Sequence, residues 1–264
     1  MTRRIVISGA SRGLGSALAR ALAAPGTDLL LLARTASELS QVAESCRAQG
    51  ASVIAQCLDM RDRAAVHPVV AAFAAKAEIH LLIANAGVLS LEAWPDDDGP
   101  DWRELHRQFN DNLACTLSLL EAGLSLPIHQ RRDLHLVVIS SLNALFPVAE
   151  APGYCMAKAA QRALIQSLED YYACRKHRRT QIRFTTVFPG FIATGMANGY
   201  PGRRPWQCSP EQAAQRIVRG LKQRKRIIVF PRRLALLVFL ARALPSRWVR
   251  PLISAQRAFT APSP

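Results

Sequence analysis

Arg3-Arg-Ile-Val-Ile-Ser-Gly-Ala-Ser-Arg-Gly-Leu-Gly15, continued by Ser16-Ala-Leu-Ala-Arg-Ala-Leu22, decides the fold. Its first six residues run from two arginines into Ile5-Val-Ile7, a segment of strand length, and the last seven repeat Ala and Leu at a helical period. Glycines at 9, 13 and 15 let the backbone between them turn tightly and come close to an anion. The helix that follows offers unpaired N–H groups and the positive end of its dipole. The spacing is G-x-x-x-G-x-G, which differs from the usual G-x-G-x-x-G dinucleotide fingerprint. A turn of this kind points to a nucleotide site, with a packing device as the plainer alternative.

The alternation continues along the chain. Strand-like runs fall at Arg3 to Ser8, Asp28 to Ala33, Ser52 to Leu58, Ile79 to Ala84, Leu134 to Ser141, Gln181 to Phe188 and Ile227 to Phe230. Helical patterns lie between them at about 13–24, 36–49, 61–76, 101–126, 152–176 and 209–224. Leu29-Leu-Leu-Leu32 and Leu136-Val-Val-Ile139 are unbroken rather than alternating, as in strands buried on both faces. Such alternation predicts a parallel sheet with helices on both sides. No repeat, linker or break in composition precedes about residue 231, so residues 1–230 read as one Rossmann-type domain and 231–264 as an extension. The long irregular stretches Val88 to Pro100 and Gly190 to Ser209 follow the carboxyl ends of strands, where open α/β sheets bind ligands.

With 264 residues, half of them apolar, the chain can bury a large core. No apolar stretch reaches the roughly 18 to 20 residues of a membrane span, and the start carries no pattern of a secretory signal. Six scattered cysteines, without C-x-x-C pairs, predict neither zinc nor a disulfide framework but a reducing, cytoplasmic setting. No metal site is expected. The net charge of +15 is unevenly spread: residues 203–257 hold twelve Arg and two Lys against one acid, Glu211, a local +13 that leaves +2 for the rest. Such a segment attracts phosphates of lipid headgroups, nucleic acid or a polyanion, or is simply a solvated basic surface.

Tyr154 and Lys158 stand four apart in Ala151-Pro-Gly-Tyr-Cys-Met-Ala-Lys158, thirteen residues after Ser141 at the end of an apolar strand. On a helix, positions i and i+4 share a face, so an ammonium can lie beside a phenol and lower its pKa. A phenol tuned in this way can give a proton to a carbonyl oxygen or take one from an alcohol. Strand two ends in Ala33-Arg34, where selection of NAD(H) usually places an acid against the ribose 2′-hydroxyl. Arg34, with Arg12 from the glycine turn, would instead grip a 2′-phosphate, which favours NADP(H) over NAD(H).

With the glycine turn, Ser141, Tyr154 and Lys158 in this order, the sequence resembles the short-chain dehydrogenase/reductase family over about residues 3–230. Asp59 with Met60 falls where the family has its adenine-contacting aspartate, and Ala84-Asn-Ala-Gly87 stands at its Asn-Asn-Ala-Gly motif. Asn112 lies at its catalytic asparagine, and Pro189-Gly-Phe-Ile-Ala-Thr194 at its nicotinamide-holding segment. The resemblance implies a doubly wound seven-stranded sheet of order 3-2-1-4-5-6-7. It also implies a catalytic set of Asn112, Ser141, Tyr154 and Lys158, in which Lys158 lowers the tyrosine pKa and binds the nicotinamide ribose while Asn112 holds a water. Cofactor contacts would come from Gly9, Ser11, Arg12, Gly13, Leu14, Gly15, Arg34, Asp59, Met60, Asn85, Ala86, Gly87, Tyr154, Lys158, Pro189, Gly190, Ile192 and Thr194. Three departures, Ala84, Cys115 and Ala157, remove no proton-transfer group.

The expected activity is NADP(H)-dependent interconversion of a carbonyl and an alcohol, in the direction of reducing a hydrophobic ketone or aldehyde. An NAD-dependent alcohol dehydrogenase and a nucleotide-binding sensor or scaffold are the alternatives. Leu142 to Val148, Trp94, Phe191, Met196, Tyr200 and Trp206 are the candidate pocket residues. The family resemblance implies a homodimer or homotetramer formed through the helix that carries Tyr154. The tail from Pro231 to Arg257 has a short apolar core flanked by Arg and Trp, which suits either peripheral membrane contact or a helix packed over the lid or a second subunit. It lacks a nucleic-acid-binding motif, so nucleic acid is not an expected partner.

Overall fold

The computed structural model describes residues 3–90, 101–148, 151–174, 181–197, 204–245 and 247–248. Seven strands, β1 Arg3–Ser8, β2 Thr27–Ala33, β3 Ser52–Cys57, β4 Leu81–Ala84, β5 His135–Ile139, β6 Arg183–Pro189 and β7 Ile227–Phe230, form one sheet. All neighbours are parallel, in the order β3-β2-β1-β4-β5-β6-β7. This is the predicted doubly wound sheet. Among the described residues seven α-helices accompany it: α1 Gly13–Leu22, α2 Ala36–Ala48, α3 Arg63–Lys76, α4 Trp102–Leu124, α5 Pro152–Cys174, α6 Pro210–Lys222 and α7 Arg232–Ala243.

Alternate residues of the central strands feed two cores, as the pleat requires. Ile5, Ile7, Leu29 and Leu31 pack with Leu18 of α1, Val42 of α2 and Ile217 of α6. Val6, Leu30, Leu32 and Leu82 point the other way, towards Val70 of α3, Leu119 of α4 and Ile165 of α5. Burial on both faces explains why β2 and β5 are continuous runs of aliphatic residues. β3, at the edge, leaves Ile54 41% exposed.

Element ends differ from the sequence reading by no more than two residues, and caps account for several of the differences. Asp62 accepts from the amide of Ala65 and starts α3 at Arg63; Asp101 accepts from Arg103 and Glu104 and starts α4. Ser209 and Gln212 form a reciprocal capping box at α6, a device that typically contributes about 1 kcal/mol. The start of the tail, expected either at a membrane or as a helix packed over the lid or a second subunit, is a helix. α7 follows β7 directly and closes a third cluster, in which Ala235 and Val238 cover Leu142, Leu145 and Phe188. Trp94, Tyr200 and residues 249–257 lie outside the described residues.

Candidate active site

The strand order reverses between β1 and β4, and a ligand crevice opens at such a point beyond the carboxyl ends of the strands. The two strands are tied together there. Ser8 Oγ accepts from the amides of Asn85 (3.0 Å) and Ala86 (3.1 Å), while Asn85 Nδ2 donates to the carbonyl oxygens of Ser8 and Gly9, both at 3.1 Å. Gly9 has φ +64°, and a Cβ there would lie 2.8 Å from Ala86 Cα, so the turn and the end of β4 touch through bare backbone. Gly15 sits beneath them. A Cβ on it would strike the carbonyl oxygen of Gly9 and come within 2.6 Å of Asn85 Nδ2. α1 begins with no side-chain cap and no acid in its first turn, leaving its N-terminal N–H groups for an anion.

A cavity of about 390 Å³ runs along this edge. Of the residues expected to be catalytic or to contact the cofactor, Gly15 alone does not line it, because that glycine packs under Gly9. The others stand in one continuous wall: Gly9, Ser11, Arg12, Gly13 and Leu14 from the turn; Arg34 after β2; Asp59 and Met60 after β3; Asn85, Ala86 and Gly87 after β4; Asn112 on α4; Ser141 after β5; Tyr154 and Lys158 on α5; Pro189, Gly190, Ile192 and Thr194 after β6. A Cβ on Gly13 would meet Thr194 Cγ2 at 3.0 Å, so the segment after β6 closes down on the glycine turn.

At one end of the cavity Arg34 and Arg12 are exposed. Asp59, near Arg34, is already engaged: Arg61 donates to its carboxylate through Nε and NH2 (2.7 Å) and through its own amide at 2.9 Å. Arg61 also reaches Asp111 at 3.0 Å. These bonds hold the Asp59 carboxyl below its ordinary range, Arg61 being the main cause. Arg61 and Asp111 line the cavity as well and were not singled out in the sequence. The only hint was the position of Arg61 two residues after Asp59. Burial pushes the nearby Cys115 thiol up to about 11, so it remains a neutral thiol at physiological pH.

At the other end, Ser140 and Ser141 split their roles as adjacent residues leaving a strand do. Ser140 Oγ donates to the carbonyl oxygen of Lys158 (3.1 Å) and fastens α5 to the sheet, whereas Ser141 lines the cavity and hydrogen-bonds Tyr154. Lys158 Nζ donates to the carbonyl oxygen of Ile139 (2.9 Å) and stands 5.4 Å from the Tyr154 ring centroid. Both side chains are deeply buried. Burial raises the Tyr154 phenol to about 12 against the opposing Ser141 hydrogen bond, and brings the Lys158 ammonium down to about 8. The expectation that Lys158 draws the tyrosine below its ordinary value is therefore not met here: desolvation dominates, and the hydrogen bond that opposes it comes from Ser141.

Asn112 is fully buried and clamps the loop after β4: its Oδ1 accepts from the amide of Val88 (3.1 Å) and its Nδ2 donates to Val88 and Gln108 carbonyl oxygens (both 2.8 Å). Its own carbonyl oxygen accepts from Gln161 at 3.1 Å and Thr116 at 3.2 Å.

Leu142, Asn143, Val148, Phe191 and Met196 line the space beyond Ser141 and Tyr154. Trp206 does not; it is 45% exposed in a left-handed turn at φ +52°. Leu234 of α7 adds a wall residue that the sequence reading had placed in the tail.

The residues present fit a dinucleotide. A glycine cradle too tight for any Cβ faces a free helix N-terminus, two exposed guanidiniums stand at one end, and a polar trio stands at the other. A family model described as short chain dehydrogenase matches residues 3–203. A sepiapterin reductase of Chlorobaculum tepidum is 28% identical over 238 residues, covering 87% of this chain and 94% of that one. The alcohol dehydrogenase of Thermococcus sibiricus, solved with 5-hydroxy-NADP, is 26% identical with a TM-score of 0.72, over 87% of this chain and 95% of its own. A Burkholderia phymatum enzyme of the same family, solved with NAD, superposes with a TM-score of 0.78 at 21% identity, over 92% and 93%.

Proposed function

The chain belongs to the short-chain dehydrogenase family, and on that premise we propose that it reduces a hydrophobic ketone or aldehyde with NADPH. As a family member it is an NAD(P)-dependent oxidoreductase acting on CH–OH groups and the matching carbonyls. The phosphorylated cofactor and the apolar carbonyl are the proposal. One observation carries it: Ser141, Tyr154 and Lys158 share a single cavity with Arg12 and Arg34.

In this reading residues 1–230 supply both the cofactor site and the catalytic groups. NADPH, when bound, supplies the hydride. Tyr154 gives its phenolic proton to the substrate oxygen, and a phenol held neutral by burial is in the correct state to do so. Ser141 hydrogen-bonds the same oxygen as negative charge develops on it. Lys158, anchored by Ile139, binds the ribose hydroxyls and keeps positive charge beside the phenol. Asn112 positions the loop after β4, through Val88, against that ribose end. Leu142, Val148, Phe191, Met196 and Leu234 favour an apolar substrate. Six free thiols suit a reducing cytoplasm. Exposed Leu117 on α4 and Met156 and Tyr171 on α5 support association of copies through these helices into a homodimer or homotetramer. A panel of aliphatic and aromatic ketones and aldehydes, assayed by loss of reduced-nicotinamide absorbance, tests the reading, and turnover confined to NADH or to none of the panel would overturn it.

Cofactor choice rests on Arg34. Asp59, the cavity carboxylate that interacts with Arg34, is paired with Arg61, which reduces its opposition to a 2′-phosphate there. Losing a charge-assisted contact and adding a like charge should lower the NADPH-to-NADH ratio of kcat/KM in Arg34→Glu by about 10- to 100-fold. An unchanged ratio would count against the phosphate contact.

The pH profile follows from Lys158. Its folded value lies below the ordinary 10.5, at about 8, so the ammonium is present below that pH and lost above it. The reductive kcat/KM should be level at lower pH and fall by about tenfold per unit above about pH 8. A profile level to pH 10 would remove Lys158 from the proton path.

A further inference from the structure

α7 has two unlike faces. Ala235 and Val238 are buried on Leu142, Leu145 and Phe188, and Leu234 reaches the cavity. On the other side Leu236, Leu237, Phe239 and Leu240 are 60%, 53%, 53% and 54% exposed. At about 100° per residue these four, with Arg232 and Arg233, fill a continuous arc of about 160°. Single exposed leucines need no explanation; four large apolar side chains together on one helix do.

Charge decides what the face fits. Arg232 and Arg233 in the first turn of α7 are exposed, as is Arg247 beyond its last. The Arg247 guanidinium lies 6.0 Å from the ring centroid of Trp248, which is 58% exposed. A second copy of this chain would bring the same positive surface against itself, whereas an anionic headgroup layer would neutralise it. Twelve residues of helix reach about 18 Å, short of the roughly 30 Å of a bilayer core, and no described helix is long and apolar enough to cross one. The helix can therefore lie only in the plane of an interface, with apolar side chains in the acyl region, arginines among the phosphates and an interfacial tryptophan beside them.

We propose that the outer face of α7 docks the protein on an anionic lipid bilayer. Docking in this way brings the cavity wall at Leu234 to the membrane surface, about one helix diameter from the lipid. It does not depend on the reaction assigned above and is measured without turnover.

The test is flotation of the full chain with phosphatidylcholine vesicles made with and without phosphatidylserine. The parent should float only with phosphatidylserine, and its affinity should fall by at least about tenfold when salt is raised to about 0.5 M. Leu237→Glu/Leu240→Glu should weaken vesicle binding by at least about 100-fold while keeping the NADPH affinity and melting temperature of the parent. Failure of the parent to float, or equal flotation on phosphatidylcholine alone, would overturn the proposal. So would undiminished binding by the double variant. A parent that stays in solution as a dimer, and that the double variant turns into a monomer, would assign the face to a second copy and overturn it as well.

Discussion

Tyr154→Phe is expected to lower kcat by about 10³- to 10⁴-fold while NADPH affinity stays within about twofold of the parent. The phenol is the one acidic side chain in the cavity that is both deeply buried and hydrogen-bonded to Ser141 among the described residues. Phenylalanine keeps the ring, so the packing around it is retained and only the proton and one hydrogen-bond partner of Ser141 are lost. The ammonium of Lys158 is anchored independently by the carbonyl oxygen of Ile139, so the ribose end of the cavity should keep its form. Rapid-mixing measurement of NADPH oxidation gives the rate, and a fluorescence titration gives the affinity. Loss of affinity together with rate would show that the tyrosine holds the cofactor rather than donating a proton. Turnover like that of the parent would remove it from the chemistry.

Gly15→Ala should be the most damaging single methyl among the described glycines. The added carbon would collide with the carbonyl oxygen of Gly9 and sit 2.6 Å from Asn85 Nδ2 and 2.8 Å from Gly9 C. None of these is the end of a flexible side chain free to swing away: two belong to backbone, and Asn85 is held by bonds to Ser8 and Gly9. α1 must move away from the turn, which parts the glycine cradle from the free N–H groups of the helix. NADPH affinity should fall by at least about 100-fold, and overpacking should cost about 1–3 kcal/mol of stability, seen as a melting temperature lower by several degrees. Gly26→Ala is the control. Gly26 has φ +77° but nothing within 4 Å of a Cβ, so strain alone should cost about 1 kcal/mol and leave NADPH affinity unchanged. Equal affinity loss in both variants would trace the effect to global stability.

Much of this was readable in the chain because local chemistry and global topology agree. Doubly buried strands show as unbroken Leu and Val, and the glycine turn shows because only glycine allows backbone to meet backbone at Gly9. Tyr154, Lys158 and Ser141 were visible through helical spacing and strand end. The less legible parts depend on contacts between distant residues. Arg61 joins Asp59 to Asp111, fifty residues away, and Ser8 fastens β1 to the end of β4 seventy-seven residues on. Neither pairing leaves a periodic trace. Trp206 looked like a pocket residue by type, but a left-handed turn directs it outward. The raised phenol of Tyr154 was also beyond spacing arguments, since desolvation depends on how completely the site closes around it.

α7 leans on the reaction edge of the sheet closely enough that a Cβ on Gly190 would meet Leu234 Cδ2 at 3.1 Å and Pro231 Cδ at 2.9 Å. On the proposed reading, the proton-handling side chains come from the end of β5 and from α5, while Leu234, part of the wall of the substrate space, comes from the stretch after the last strand. Under that reading chemistry and selectivity occupy separable pieces of one chain, and a substitution at Leu234 should change which molecules fit without altering how a proton is moved.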